Sequence, residues 1–353
     1  CKMRGYSSPL EMTVEQSRLE MPVLEAMIKA MKESLPKFRE YFRKKAELLG
    51  HKNGLPFYDL FAPVGKSTML FTYEEAQEFI IKNFSSFSED LGNFAKKAFD
   101  NRWIDVYQNE GKRSGAYSAG ARVHPFVLMN YTGTLDSQFT LAHEMGHAIH
   151  SYLSNRTQNP IDAGYVIFVA EVASTCNEAL LMEHLLSKTT DKKERAYLIN
   201  HFLEQFKSTL YRQAMFAEFE LNIGRMAKEG QTLTADVLSA EYRRLNEMYF
   251  GPDMVIDEEI ALEWARIPHF YYNYYVFQYA TGYSAAIALS RRILREGESA
   301  VQDYLGFLSG GCSKSPIDLL KGAGVDMTSP EPVNQALELF GELLDEMEQL
   351  MQD

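Results

Sequence analysis

Thr140-Leu141-Ala142-His143-Glu144-Met145-Gly146-His147-Ala148-Ile149-His150 is the stretch that decides how this chain is read. Residues four apart on an α-helix lie about 40° from each other around its axis, so His143 and His147 present their imidazoles to one side. Two neutral imidazoles at that spacing fill two corners of a zinc tetrahedron. Glu144 sits about 100° round from His143, which puts its carboxylate beside such an ion rather than on it. There it can act as general base, taking a proton from a metal-activated water and passing it to a leaving amine. Phe139, Leu141, Ala142, Met145, Ala148, Ile149 and Leu153 surround the motif with apolar residues, the pattern of a packed helix. Three of the chain's eight histidines fall within this one segment. His150 stands where the longer three-histidine form of the motif requires Gly, so that form is excluded. His150 is expected to pack behind the ligands.

Two imidazoles and a water leave one protein ligand to find. Asp162, Glu171, Glu178 and Glu183 follow downstream. Asp162 lies in Asn159-Pro160-Ile161-Asp162-Ala163-Gly164, which reads as a turn. Glu171 interrupts the apolar run Tyr165-Val166-Ile167-Phe168-Val169-Ala170, where a carboxylate is costly to bury unless it is paired or metal-bound. It is the preferred third ligand. Glu178, seven residues on and on the same helix face, is the second choice, and its expected role is to accept a hydrogen bond from a ligating histidine.

The 353 residues suffice for one large or two ordinary domains, and 46% hydrophobic with 24% charged residues is the balance of a globular protein. A net charge of -12 disfavours nucleic acid and anionic membranes as partners. No apolar run approaches the roughly 20 residues of a membrane span. Cys1, Cys176 and Cys312 make no disulfide framework, which points to a reducing, cytoplasmic setting. The chain opens on Cys1 rather than Met, as a piece of a longer or processed polypeptide would.

Helix signals dominate. Glu15 to Gly50 reads as helices interrupted by Pro22 and Pro36 and stopped by Gly50, with Leu35, Phe38, Phe42, Leu48 and Leu49 as the buried stripe. Thr72-Tyr73-Glu74-Glu75 is a capping box, and Ser88 starts the next helix. Trp103 to Tyr107 and Val123 to Tyr131 are strand candidates, joined through the small-residue loop Gly111 to Gly120. Further helices are expected over Thr132–Ser154, Gly164–Leu186, Glu194–Lys228, Ala235–Phe250, Glu258–Arg266, Phe270–Glu296 and Pro332–Met351, with a short one opened by Ser315-Pro316.

A second constellation is Ile267-Pro268-His269-Phe270-Tyr271-Tyr272-Asn273-Tyr274-Tyr275-Val276-Phe277-Gln278-Tyr279. On a continuous helix Tyr272 and Tyr275 share a face, and phenols there could donate to an oxyanion. The competing reading is an aromatic core stripe.

His143 to His150, then Ala170-Glu171-Val172-Ala173-Ser174-Thr175, then Pro268-His269-Phe270-Tyr271-Tyr272 through Tyr279-Ala280-Thr281-Gly282 resemble the oligoendopeptidase F group of the thimet-oligopeptidase-like (M3) zinc peptidases. Gly115-Ala116-Tyr117-Ser118 and Met129-Asn130-Tyr131 are similar to that group too. The resemblance implies a mainly α, gluzincin-type zincin fold, with a small antiparallel sheet beside the motif helix. It implies a single catalytic domain over 1–353, the family's N-terminal helical domain lying outside this chain. It implies one zinc ion on His143, His147 and Glu171, with Glu144 as general base. His269 and Tyr272 or Tyr275 would hold the substrate carbonyl and the oxyanion. Tyr117, Met129, Asn130, Tyr131 and Tyr279 would contact substrate, the strand around Val127–Tyr131 pairing with the peptide backbone as an edge.

The expected function is zinc-dependent cleavage of internal bonds in short oligopeptides. A zinc carboxypeptidase or dipeptidyl carboxypeptidase is one alternative, for which Arg266, Arg291 or Arg292 would have to grip a terminal carboxylate. A zinc-containing module that binds peptides without cutting them is the other.

Overall fold

The computed structural model describes residues 1–16, 19, 21–65 and 69–352. Its elements in chain order are α1 (Pro9–Gln16), α2 (Met21–Leu48), β1 (Leu55–Pro56), α3 (Tyr73–Phe87), α4 (Glu89–Asp100), β2 (Ile104–Asp105), β3 (Tyr117–Ala119), β4 (Phe126–Leu128), α5 (Leu135–Thr157), α6 (Ile167–Lys188), α7 (Lys192–Gln205), α8 (Arg212–Lys228), α9 (Ala235–Phe250), β5 (Met254–Val255), α10 (Phe277–Glu296), α11 (Glu298–Leu308), α12 (Pro316–Gly322) and α13 (Glu331–Gln352). The fold is mainly α, as expected. It sorts into two compact units, one of Cys1–Ser67, Thr190–Ser284 and Thr328–Asp353, the other of Thr68–Thr189 and Ala285–Met327.

In the first unit, α2 packs with α8, α9 and α13. Its buried stripe of Val23, Leu24, Met27, Met31, Leu35, Phe38 and Phe42 follows the three-and-four spacing of a helix face. Leu48 and Leu49, expected on that stripe, are only half-buried. The expected break at Pro36 does not occur: the proline removes one amide donor, but the apolar stripe stays in register across it and packing carries the helix through. Residues 17, 18 and 20 of the expected first helix lie outside the described residues. Phe38 stacks on Tyr211 with centroids 3.9 Å apart, and Phe42, Phe250 and Phe340 close round them. The single helix expected over Glu194–Lys228 is divided by a π-helical segment, Phe206–Tyr211. That wider turn carries Lys207, which is buried and bonds Glu204; Lys45 reaches the same carboxylate at 2.6 Å. Leu55–Pro56 and Met254–Val255 form a two-stranded parallel pair.

In the second unit, α5 packs against α6 and α3 against α4. The capping box at Thr72 and Glu75 is formed, and Ser88 Oγ accepts from the Leu91 amide, so both helices begin where the sequence placed them. The small sheet beside α5 has the order β2-β4-β3. It is mixed rather than antiparallel: β4 runs parallel to β2 and antiparallel to β3. β3 differs from the loop expected over Gly111 to Gly120. It arises inside the small-residue loop, where Tyr-Ser-Ala flanked by glycines has little strand propensity of its own and is extended by pairing with β4. The end of β3 lies on the motif helix, and a β-carbon on Gly120 would stand 2.6 Å from Ser151 Oγ. No helix among the described residues is long and apolar enough to cross a membrane.

Candidate metal centre

The motif helix α5 is started by Thr134, whose side chain accepts from the Ser137 amide, and its early turns bury Leu135, Phe139, Leu141 and Ala142. This packing turns the other face, with His143 and His147, towards α6. Gly146 lets the two helices meet: a β-carbon there would lie 2.6 Å from Ser174 Cα and 2.9 Å from the Ala173 carbonyl oxygen. α6 then brings Glu171 over the imidazoles.

The three donor atoms converge. His143 Nε2 is 3.1 Å from His147 Nε2, and Glu171 Oε2 is 3.4 Å from the first and 3.6 Å from the second. Ligands bonded to zinc at about 2.0–2.1 Å in a tetrahedron stand roughly 3.3 Å apart, so this spacing fits the ion. Among the described residues these three are the only group of His, Cys, Asp and Glu so arranged. Of the four candidates for third ligand, Glu171 is the one in the cluster.

Both imidazoles are held from behind by α6. His143 Nδ1 donates to Glu178 Oε1 at 2.6 Å, which leaves Nε2 for the ion. His147 donates to the Ala170 backbone carbonyl. Ser174 Oγ donates to Glu171 Oε2 at 3.2 Å. His150 does not join this set. It is buried, stacks on Tyr165 at 3.7 Å and lies against Phe307, with no hydrogen bond to its Nδ1 among the described residues, so it packs the helix rather than orienting a ligand.

The electrostatics match a cation-binding pocket. Burial pulls His143 down, but the carboxylates of Glu178 and Glu171 outweigh it and hold the imidazole well above its usual range. Burial and the His143 charge push His147 down to about 4. Burial would raise Glu171, and the His143 and His147 rings reverse that and keep it low. The proton on His143 thus stands where a cation would. Glu144 is buried, its carboxyl pushed up to about 7 by burial and by Glu171 and Glu178, against the pull of His143. A bound cation would draw it back down.

The expected substrate strand needs correction. β4 is the central strand, its amides spent on Trp103 and Asp105, and the edges of the sheet are β2 and β3, the latter with the exposed Tyr117. Met129 is buried and its amide donates to Asp105. Tyr131 is buried, its hydroxyl donating to the Phe71 carbonyl at 2.9 Å. Asn130 Nδ2 donates to the Arg113 and Gly115 carbonyls and so pins the 111–116 loop. These three side chains build the sheet rather than facing a substrate.

His269, Tyr272, Tyr275 and Tyr279 form a separate ring cluster in the first unit. His269 lies 5.8 Å from Tyr275 at 19°, 6.2 Å from Tyr272 and 5.9 Å from Tyr279, centroid to centroid. The continuous helix expected over Phe270–Glu296 is not what joins them. A 3₁₀ helix, Pro268–Tyr272, gives way to Asn273 and Tyr274 at φ 60 and 56 before α10 begins. Tyr272 and Tyr275 still meet, at 6.0 Å, through a turn rather than along one helix face.

A model of peptidase family M3 matches residues 1–339. The chain is 48% identical to the oligopeptidase PepF of Bacillus subtilis (strain 168), over 99% of this chain and 52% of that protein. It is 40% identical to the chromosomal oligoendopeptidase F of Lactococcus lactis subsp. cremoris, over 99% of this chain and 58% of that protein. Oligoendopeptidase-F from Enterococcus faecium superposes with a TM-score of 0.79 at 36% identity, covering 99% of this chain and 57% of that one. The chain spans about half the length of the curated relatives it matches. With three converging donors on the H-E-x-x-H helix and its neighbour, and a family match over nearly its whole length, the chain belongs to peptidase family M3.

Proposed function

We propose that this chain is the catalytic part of a zinc-dependent endopeptidase that cuts internal bonds of short oligopeptides. The observation that carries the reading is the convergence of His143, His147 and Glu171, with Glu144 next to His143 on the same helix. His143, His147 and Glu171 would hold the ion. When bound, zinc supplies a Lewis acid that polarises a scissile carbonyl and acidifies water. Glu144 takes the proton of the attacking water and hands it to the leaving amine, as its buried carboxyl suits it to do. His269 with Tyr272 or Tyr275 would donate to the carbonyl oxygen as charge builds on it, a role assigned from the family likeness of the segment. Tyr117 on the sheet edge, and Tyr279, would contact the peptide. The names of the relatives, oligopeptidase and oligoendopeptidase, support the substrate class. Three cysteines with no Cys-x-x-Cys pair in the sequence support a reducing compartment, the cytoplasm.

Terminal trimming is less well supported. Arg292 is engaged with Glu296, Asp303 and the Ala323 carbonyl, and Arg266 with Glu263, so neither stands ready for a substrate carboxylate. The test is cleavage of a mixed set of short peptides, with products read by mass spectrometry and Glu144→Gln in parallel. Internal cuts that fall about 10²–10⁴-fold in the variant, with zinc retained, are the expected result. Near-normal cleavage by the variant would sink the mechanism, and stepwise C-terminal products would sink the endopeptidase reading.

A further inference from the structure

The rings of His269, Tyr272, Tyr275 and Tyr279 hang on a backbone bent at its centre by two residues in conformations that L side chains rarely adopt. Asn273 has φ 60 and ψ 104, and Tyr274 has φ 56. Such a turn persists only where its surroundings hold it. Two residues of α8, one turn apart, do so. The Tyr274 amide donates to Glu220 Oε1 at 2.6 Å. At Gly224 the helix leaves room for the Tyr274 ring, since a β-carbon there would stand 2.1 Å from the tyrosine hydroxyl oxygen.

Glu220 is unusual in its own right. It is 4% exposed, and among the described residues its buried Oε2 has no hydrogen-bond partner. A buried carboxyl left half-satisfied is destabilising, and ion pairing does not account for it. Its bond to the strained residue does. We infer that Glu220 and Gly224 form a clamp on Tyr274 that sets the placement of His269, Tyr272, Tyr275 and Tyr279. Glu220 is thus a positioning residue, acting through the Tyr274 backbone. The inference rests on the reading that these rings serve peptide cleavage. Burial pushes the Glu220 carboxyl up to about 8 against the Tyr274 amide, so at neutral pH a neutral acid accepts the bond, and a glutamine amide can replace it.

The experiment combines site-resolved hydrogen exchange of the 268–279 backbone with steady-state cleavage, for Glu220→Gln, Glu220→Leu and Gly224→Ala in the zinc-loaded chain. Glu220→Gln is expected to keep the protection of the Tyr274 amide and the wild-type kcat. Glu220→Leu and Gly224→Ala are expected to speed exchange there about tenfold or more, with the rest of the chain unchanged. They should lower kcat about 10–100-fold, as for displaced catalytic groups, with zinc content intact and KM little changed. Asn273→Gly added to Glu220→Leu should recover part of that loss, because glycine takes positive φ without strain. If Glu220→Leu does not fold, Gly224→Ala carries the same readouts. Wild-type exchange at Tyr274 in either variant overturns the clamp. If the wild-type chain cleaves nothing, the peptidase reading fails while exchange still decides the clamp.

Discussion

Ser174 Cα lies 2.6 Å from the point where a β-carbon on Gly146 would sit. Real β-carbons do not come that close to backbone, so the glycine within the H-E-x-x-H motif is what lets α6 lie against α5. The contact sets the metal centre, because Glu171 leaves α6 one turn before Ser174 and meets both imidazoles within 3.6 Å.

Gly146→Ala should therefore push the two helices apart by a few tenths of an ångström or more. Overpacking of this kind typically costs about 1–3 kcal/mol. Zinc affinity should fall with it, by roughly the 10–100-fold seen when groups supporting a ligand are disturbed. Competition with a chromophoric chelator measures the affinity, and a thermal melt the stability. An unchanged dissociation constant would mean that Glu171 reaches the site whatever the helix spacing.

Glu178→Ala removes the acceptor of the 2.6 Å bond that fixes His143. About 10–100-fold weaker zinc binding is expected, with the fold intact. Glu183→Ala, on the same helix but outside the donor cluster, should leave zinc binding at the wild-type level. Equal losses in both would point to helix destabilisation rather than ligand orientation.

Zinc uptake should release protons. Glu178 and Glu171 hold His143 protonated above its usual range, and a ligating imidazole must be neutral. The ion competes with that proton, so apparent affinity rises with pH up to the raised pKa of His143 and levels off beyond it. Calorimetric titration of zinc near neutral pH, in two buffers of different ionisation enthalpy, gives the number released. Zero would place the His143 proton elsewhere. Chelation should also lower the melting temperature, since the ion binds the folded chain, by about 2.7 kcal/mol of stability at zinc 100-fold above its dissociation constant.

Glu220 carries a pH signature in stability. Its carboxyl is raised from 4.5 to about 8 in the folded chain. The folded state therefore holds a proton that the unfolded state has lost over that interval. Stability from this group is complete below about 4.5 and is lost as pH rises through about 8, and the shift corresponds to at most roughly 5 kcal/mol. The melting temperature of wild type relative to Glu220→Gln should fall steadily across that window. Parallel curves for the two proteins would show that the carboxyl titrates normally.

The metal centre is legible in the sequence because its information is local. His143, Glu144 and His147 lie within five residues, and helix periodicity alone puts the imidazoles on one side. Glu171 could be singled out because a carboxylate in an apolar helix needs a partner. Helix starts at Thr72 and Ser88 were equally local, each resting on a side-chain cap a few residues from the amide it serves.

What only the tertiary structure decided involves partners distant in sequence. The approach of Gly146 to Ser174 depends on how two helices pack, and the hydrogen bond of His147 to the Ala170 carbonyl follows from it. β3 is a strand only because β4 lies beside it, and that pairing places Val127 in the centre of the sheet and Tyr117–Ala119 on one of its edges. The turn at Asn273 and Tyr274 breaks a segment whose aromatic spacing reads as helix. Its conformation is held by Glu220 and Gly224, some fifty residues earlier, and periodicity carries no trace of a bond between one helix's carboxyl and another segment's amide.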